Sequence, residues 1–197
     1  MIIGLIGGVG SGKSTVTDVL SGQYGFELLL TDDMAKETEL PGGDGYAALT
    51  GVFGDRILEN GIGSPIDKKK FAELIYSDPE ALETVNGLIH PIVWDLVEKT
   101  LKEKKEADPE VRIAVETALP CERYREMCDE IWFIYADPEI RISRLSASRG
   151  YSREKSISII ENQLSDEAFT AYADYIVDNS GSKEETAERI GELLCGL

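Results

Sequence analysis

Five stretches of the chain are nearly unbroken runs of apolar side chains: IIGLI at 2–6, FELLL at 26–30, VRIAV at 111–115, IWFIY at 131–135 and DYIVD at 174–178. A strand with one wet face alternates apolar and polar residues, whereas a strand covered on both faces does not. These runs therefore predict a buried parallel sheet. Between them, apolar residues recur with helical spacing. Val16, Val19 and Leu20 share one face until Gly22 and Gly25 end the pattern, and Ala187, Ile190, Leu193 and Leu194 share another. A capping box from Ser182 to Glu185 opens that last helix. Asp78-Pro79 and Asp137-Pro138 each give an N-cap followed by proline at the first helical position. Alternating strands and helices predict an α/β fold, an open parallel five-stranded sheet with helices on both faces and ligands at the C-terminal ends of the strands. The connection between the second and third strands is long, about 33–110, and carries several helices, one expected to be interrupted at Pro91. No repeat or low-complexity linker marks a second domain, so residues 1–197 read as one domain with this helical insertion.

Composition narrows the class. The chain has 37 acidic and 20 basic side chains, a formal net charge of −17, which argues against nucleic acid or an anionic membrane as partner. No apolar segment reaches the length of a membrane span, and the N-terminal run is too short for a signal peptide. The three cysteines, Cys121, Cys128 and Cys195, and the single histidine, His90, show no metal-site spacing. The expectation is a cytoplasmic protein; the sequence leaves the oligomeric state open and favours a monomer.

The first strand runs into GGVGSGKST, residues 7–15, which contains G-x-x-x-x-G-K-[ST] between a strand and a helix. Glycines let consecutive backbone N–H groups curl around phosphate oxygens, and the following helix aims its positive end at the same anion. Gly8, Val9, Gly10, Ser11, Gly12, Lys13, Ser14 and Thr15 are thus the candidate nucleoside triphosphate contacts. Lys13 supplies charge to the outer phosphates, and Ser14 a hydroxyl for Mg²⁺. The second strand ends in LLLTDDMAK, 28–36. Asp32 there is placed to take the proton of an attacking hydroxyl or to help hold Mg²⁺; equally, Thr31, Asp32 or Asp33 would serve as a helix N-cap. Glu116 ends the third strand as a candidate metal-organising acid, or as a helix cap or solvated end. Arg141, Arg144, Arg149 and Arg153 cluster between the fourth and fifth strands, with Gly150 as a hinge, and suit a small lid at about 146–165, or else a solvated basic helix face. His90-Pro91 reads as a helix kink, and Lys68, Lys69 and Lys70 as a solvated face.

In this order the motifs resemble those of dephospho-coenzyme A kinases. The resemblance runs nearly end to end: IGLIGGVGSGKST, DDMAK at 32–36, LIHP at 88–91, Arg144-Leu145, QLS from Gln163 and ADYIVDNSGS from Ala173. It implies a P-loop kinase-like fold that uses ATP and Mg²⁺ to phosphorylate the ribose 3′-hydroxyl of dephospho-coenzyme A, the last step of coenzyme A biosynthesis. It implies Asp32 as the acid that activates this hydroxyl. Lys36 and His90 would lie near the acceptor under the helical insertion, Arg144 and Arg149 in the lid, and Asn179 beside the adenine. The chain departs from the family pattern at Leu30, Trp94, Ile159 and Phe169, and reads ALPCE at 118–122 after its third strand. Two alternatives follow: a kinase of another small hydroxyl or nucleotide acceptor, and a nucleotide-binding protein with little catalysis.

Overall fold

The computed structural model describes residues 1–196. Five strands form one parallel sheet: β1 (Ile2–Ile6), β2 (Glu27–Leu30), β3 (Ile113–Glu116), β4 (Glu130–Tyr135) and β5 (Tyr175–Asp178), in the spatial order β2-β3-β1-β4-β5. Every residue of the central strand β1 is buried, which is why its sequence shows no alternation. Gly4 sits opposite Val115 on one side and Ile131 on the other. A Cβ at Gly4 would come within 2.6 Å of the Tyr124 hydroxyl and 2.9 Å of Cys128 Sγ, so glycine here makes room for a side chain packed on the sheet.

The chain divides into two compact units, Met1–Leu29 with the C-terminal part from Lys104, and Leu30–Glu103. In the first, helices α1 (Lys13–Tyr24) and α10 (Lys183–Cys195) pack together, and Val16, Leu20 and Ile190 join Ile3, Leu5, Ala114, Trp132 and Val177 in one core. The capping box is formed: the Ser182 hydroxyl accepts from the Glu185 N–H at 3.2 Å, and Glu185 accepts from the Ser182 N–H at 2.8 Å. Helices α6 (Glu122–Met127), α7 (Pro138–Arg149), α8 (Arg153–Glu161) and α9 (Asp166–Tyr172) complete this unit.

The second unit contains α2 (Thr31–Thr38), α3 (Asp44–Phe53), a short 3-10 turn, α4 (Lys68–Ser77) and most of α5 (Pro79–Ala107). Tyr46 anchors its loop, donating to the Ser64 carbonyl at 2.8 Å and accepting from the Gly63 N–H at 2.9 Å. The expected interruption at Pro91 does not occur: α5 runs unbroken through it. Pro91 and Gly87, one turn earlier, both lie on the exposed face, so water can take the carbonyl that proline leaves unbonded. The opposite face carries Ala81, Val85, Ile89, Val93, Val97 and Leu101, all buried, and this stripe continues across the proline.

Candidate functional site

The loop after β1 closes on Gly12, which caps α1 in a left-handed conformation (φ 86°) that only glycine adopts without strain. No side chain caps this helix and its first turn holds no acid. Among the described residues, the N–H groups of Gly10, Gly12 and Ser14 donate to no acceptor. Ser11 is buried, and its hydroxyl oxygen also lacks a partner. Open N–H groups at a positive helix end form an anion cradle, and phosphate chemistry fits it. Lys13 lies over the loop: its Nζ donates to the Gly7 carbonyl at 2.8 Å and stands 3.6 Å from the Glu116 carboxylate. Glu116 is the last residue of β3, so the sheet brings it to the loop.

Four more side chains brace the loop. Arg144, on α7, donates to the Ser11 carbonyl at 3.1 Å and to the Asn179 carbonyl at 2.8 Å. Asn179, directly after β5 and buried, donates its side-chain amide to the Ser11 carbonyl at 2.7 Å and accepts from the Thr186 hydroxyl at 2.7 Å. Arg141 donates to the Val9 carbonyl at 3.0 Å, and the Gln163 side-chain oxygen accepts from the Val9 N–H at 2.8 Å. Burial lowers the pKa of the Arg141 guanidinium from its usual value. Val9, expected among the donors to phosphate, therefore has both its backbone groups committed to side chains.

The structure thus brings Gly8–Thr15, Glu116, Arg144 and Asn179 together. Arg149 stands apart on the exposed last turn of α7. Asp32, Lys36 and His90 belong to the second unit. The N-cap of α2 is Leu30, so Thr31, Asp32 and Asp33 are not caps; both acids lie exposed in the first turn. The chain enters α2 directly from β2, which leaves no residue between strand and helix to cap it. Asp33 accepts from Lys36 at 2.6 Å, and this bond raises the lysine pKa. Asp32 has no hydrogen-bond partner among the described residues. His90 is half-buried on α5. No sequence pattern marks Thr186, and Gln163 stands out only within a family motif. The three-residue spacing of Arg141 and Arg144 was the available signal, since it puts both on one helix face.

A model of the dephospho-CoA kinase family matches residues 1–185. The chain belongs to this family. A dephospho-CoA kinase of Carboxydothermus hydrogenoformans is 34% identical over 194 residues, spanning 98% of this chain and 92% of the relative. One from Geobacter sulfurreducens is 31% identical over 192 residues, spanning 98% and 96%. The solved structure of TT1252 from Thermus thermophilus matches with a TM-score of 0.78 at 26% identity, covering 100% of this chain and 97% of that one. Against the dephospho-CoA kinase pattern, Phe169 is a core residue, buried and stacked on Phe133 with ring centroids 5.2 Å apart. Leu30, Trp94 and Ile159 are half-buried. Among the described residues, no cluster of three or more acids, histidines or cysteines gathers to hold a metal. Ser14, exposed in the first turn of α1, and Glu116 offer one hydroxyl and one carboxylate. That set suits Mg²⁺, which takes one or two carboxylates plus substrate phosphates and keeps several waters.

Proposed function

We propose that the protein transfers the γ-phosphoryl group of ATP to the ribose 3′-hydroxyl of dephospho-CoA, giving coenzyme A and ADP in the cytoplasm. One observation carries the reading: a chain matched to the family over residues 1–185 holds an uncapped glycine loop with open N–H groups. In this reading Gly10, Gly12 and Ser14 receive the phosphates through their N–H groups, Thr15 follows them in the first turn of α1 with its own N–H on the Gly12 carbonyl, and Gly8, Val9 and Ser11 shape the loop. Lys13 turns from the Gly7 carbonyl to the outer phosphates. Ser14 and Glu116 would hold Mg²⁺, which when bound neutralises charge on the β- and γ-phosphate oxygens. Arg144 and Arg149 both add positive charge from α7, Arg149 from its last turn where the lid begins, and Asn179 fixes the loop beside the base.

Asp32 is the base in this reading. It accepts the proton of the 3′-hydroxyl as that oxygen bonds to the γ-phosphorus, while the bond to the bridging oxygen breaks and ADP leaves. Its exposed, unpaired carboxylate supports the assignment. Lys36 and His90 lie on the acceptor side. No helix among the described residues is long and apolar enough to cross a membrane. In this reading a monomer is favoured over an oligomer.

The test is ADP release by the purified protein against dephospho-CoA, nucleoside monophosphates, gluconate, shikimate and no acceptor. Only dephospho-CoA should stimulate release, with the new phosphate on the ribose 3′-oxygen. Stimulation by another acceptor, with dephospho-CoA inert, would give Leu30, Trp94 and Ile159 the meaning of a changed substrate. ATP binding without stimulated release would leave a nucleotide-binding protein.

A further inference from the structure

The two peptide groups that flank Val9 are held from outside the loop. The Gln163 side-chain oxygen accepts from the Val9 N–H at 2.8 Å and from Arg141 Nη2 at 3.1 Å. Arg141 Nε returns to the Val9 carbonyl at 3.0 Å. The ring is closed by two side chains from different elements: Arg141 comes from α7, and Gln163 from the link between α8 and α9. Asp166, the first residue of α9, lies 3.8 Å from Arg141 Nη1 and steadies its charge. Arg141 is only 5% exposed, so these hydrogen bonds are shielded from water. The neighbouring glycine is fitted to the pair as well: a Cβ at Gly8 would come 2.1 Å from Arg141 Nη2 and 3.0 Å from the Gln163 oxygen.

We propose that Arg141 and Gln163 are positioning residues for the phosphoryl transfer: they clasp Val9, hold the crown of the phosphate loop in the shape that receives ATP, and tie it to the segment joining α8 and α9. The inference rests on the reading of residues 7–15 as a phosphate site. A flexible loop must lose conformational freedom when it closes on phosphates, and a loop already fixed loses less. With Val9 committed, the open N–H groups on the side of the loop that leads into α1 are those of Gly10, Gly12 and Ser14. Gln163 acts through its oxygen alone, so the clasp makes a chemical demand. An acceptor is required at that point, and an amide nitrogen is not.

That demand provides the test, made at half-buried Gln163 rather than at buried Arg141. Gln163→Ala and Gln163→Glu are compared with the intact full-length protein by calorimetric titration with Mg·ATP, thermal melting and amide exchange. Gln163→Ala should weaken ATP binding about tenfold, the effect of losing one hydrogen bond to a charged group. Its melting temperature should stay within about 2 °C of wild type. The Val9 amide should exchange faster in the same variant. Gln163→Glu keeps the acceptor oxygen and should restore both ATP affinity and slow exchange. A folded Gln163→Ala with wild-type ATP affinity overturns the clasp. So does Gln163→Glu as impaired as Gln163→Ala, because the acceptor is then not what matters. Wild-type protein that binds no ATP overturns the phosphate-loop reading itself, a failure distinct from either.

Discussion

Two carboxylates stand side by side on the first turn of α2, and the structure separates them: Asp33 is tied to Lys36, whereas Asp32 is unpaired. Asp32→Asn keeps the shape and loses the basic oxygen, so kcat should fall by about 10²–10⁴-fold while ATP still binds. Asp33→Asn removes only an exposed ion pair and should leave kcat within about twofold. Steady-state rates with dephospho-CoA decide it, and a dead Asp33→Asn beside an active Asp32→Asn would reverse the assignment. The sequence pointed to Asp32 through its place after the second strand and through the family motif, but it could not show that Asp33 is the acid paired with Lys36, because pairing is a matter of direction in space. The arginines were legible in the same partial way. Their type and spacing announced positive charge near the nucleotide, yet the groups that Arg141 and Arg144 bind are backbone carbonyls, which residue identities do not reveal.

Strands were the most legible elements: burial on both faces left unbroken apolar runs in β1, β3 and β4, whereas the edge strands β2 and β5 are apolar yet partly exposed, so covering on both faces does not account for them. The ends of the strands were less legible. The apolar run predicts strand from Val111, yet β3 begins at Ile113 and extends to Glu116. Arg112 is exposed, and its carbonyl accepts from Glu27 as the chain enters the sheet. The error at Pro91 is of another kind. A local rule, that proline breaks helices, met a six-residue apolar stripe that outweighs it. Proline in a helix interior still forfeits a hydrogen bond, so Pro91→Ala should stabilise the fold by about 1–3 kcal/mol. Urea unfolding checks this. An unchanged or lowered midpoint would show that the rest of α5 is shaped around the proline.

Across the whole molecule, stability should depend on alkaline pH. Burial pushes the Cys128 thiol up to about 12, against 9.0 for a free thiol, and burial also raises the neighbouring Tyr124 hydroxyl well above its usual value. Between pH 9 and 12 the unfolded chain releases the Cys128 proton and the folded chain keeps it; the Tyr124 proton behaves in the same way from pH 10 upward. The unfolded state then binds fewer protons, so stability falls as pH rises, by about 1.4 kcal/mol per pH unit for each group. Cys128→Ala should flatten the decline measured by urea unfolding between pH 9 and 11. A slope identical to wild type would remove Cys128 from the account. At this same scale the support that Asn179 gives to Ser11, across 168 positions of sequence, has a consequence for the order of synthesis. The phosphate motif is synthesised well before its brace. A nascent chain can display every residue of that motif and still lack the side chain that holds Ser11 in place, so the loop reaches its braced form only once the segment after β5 has been made.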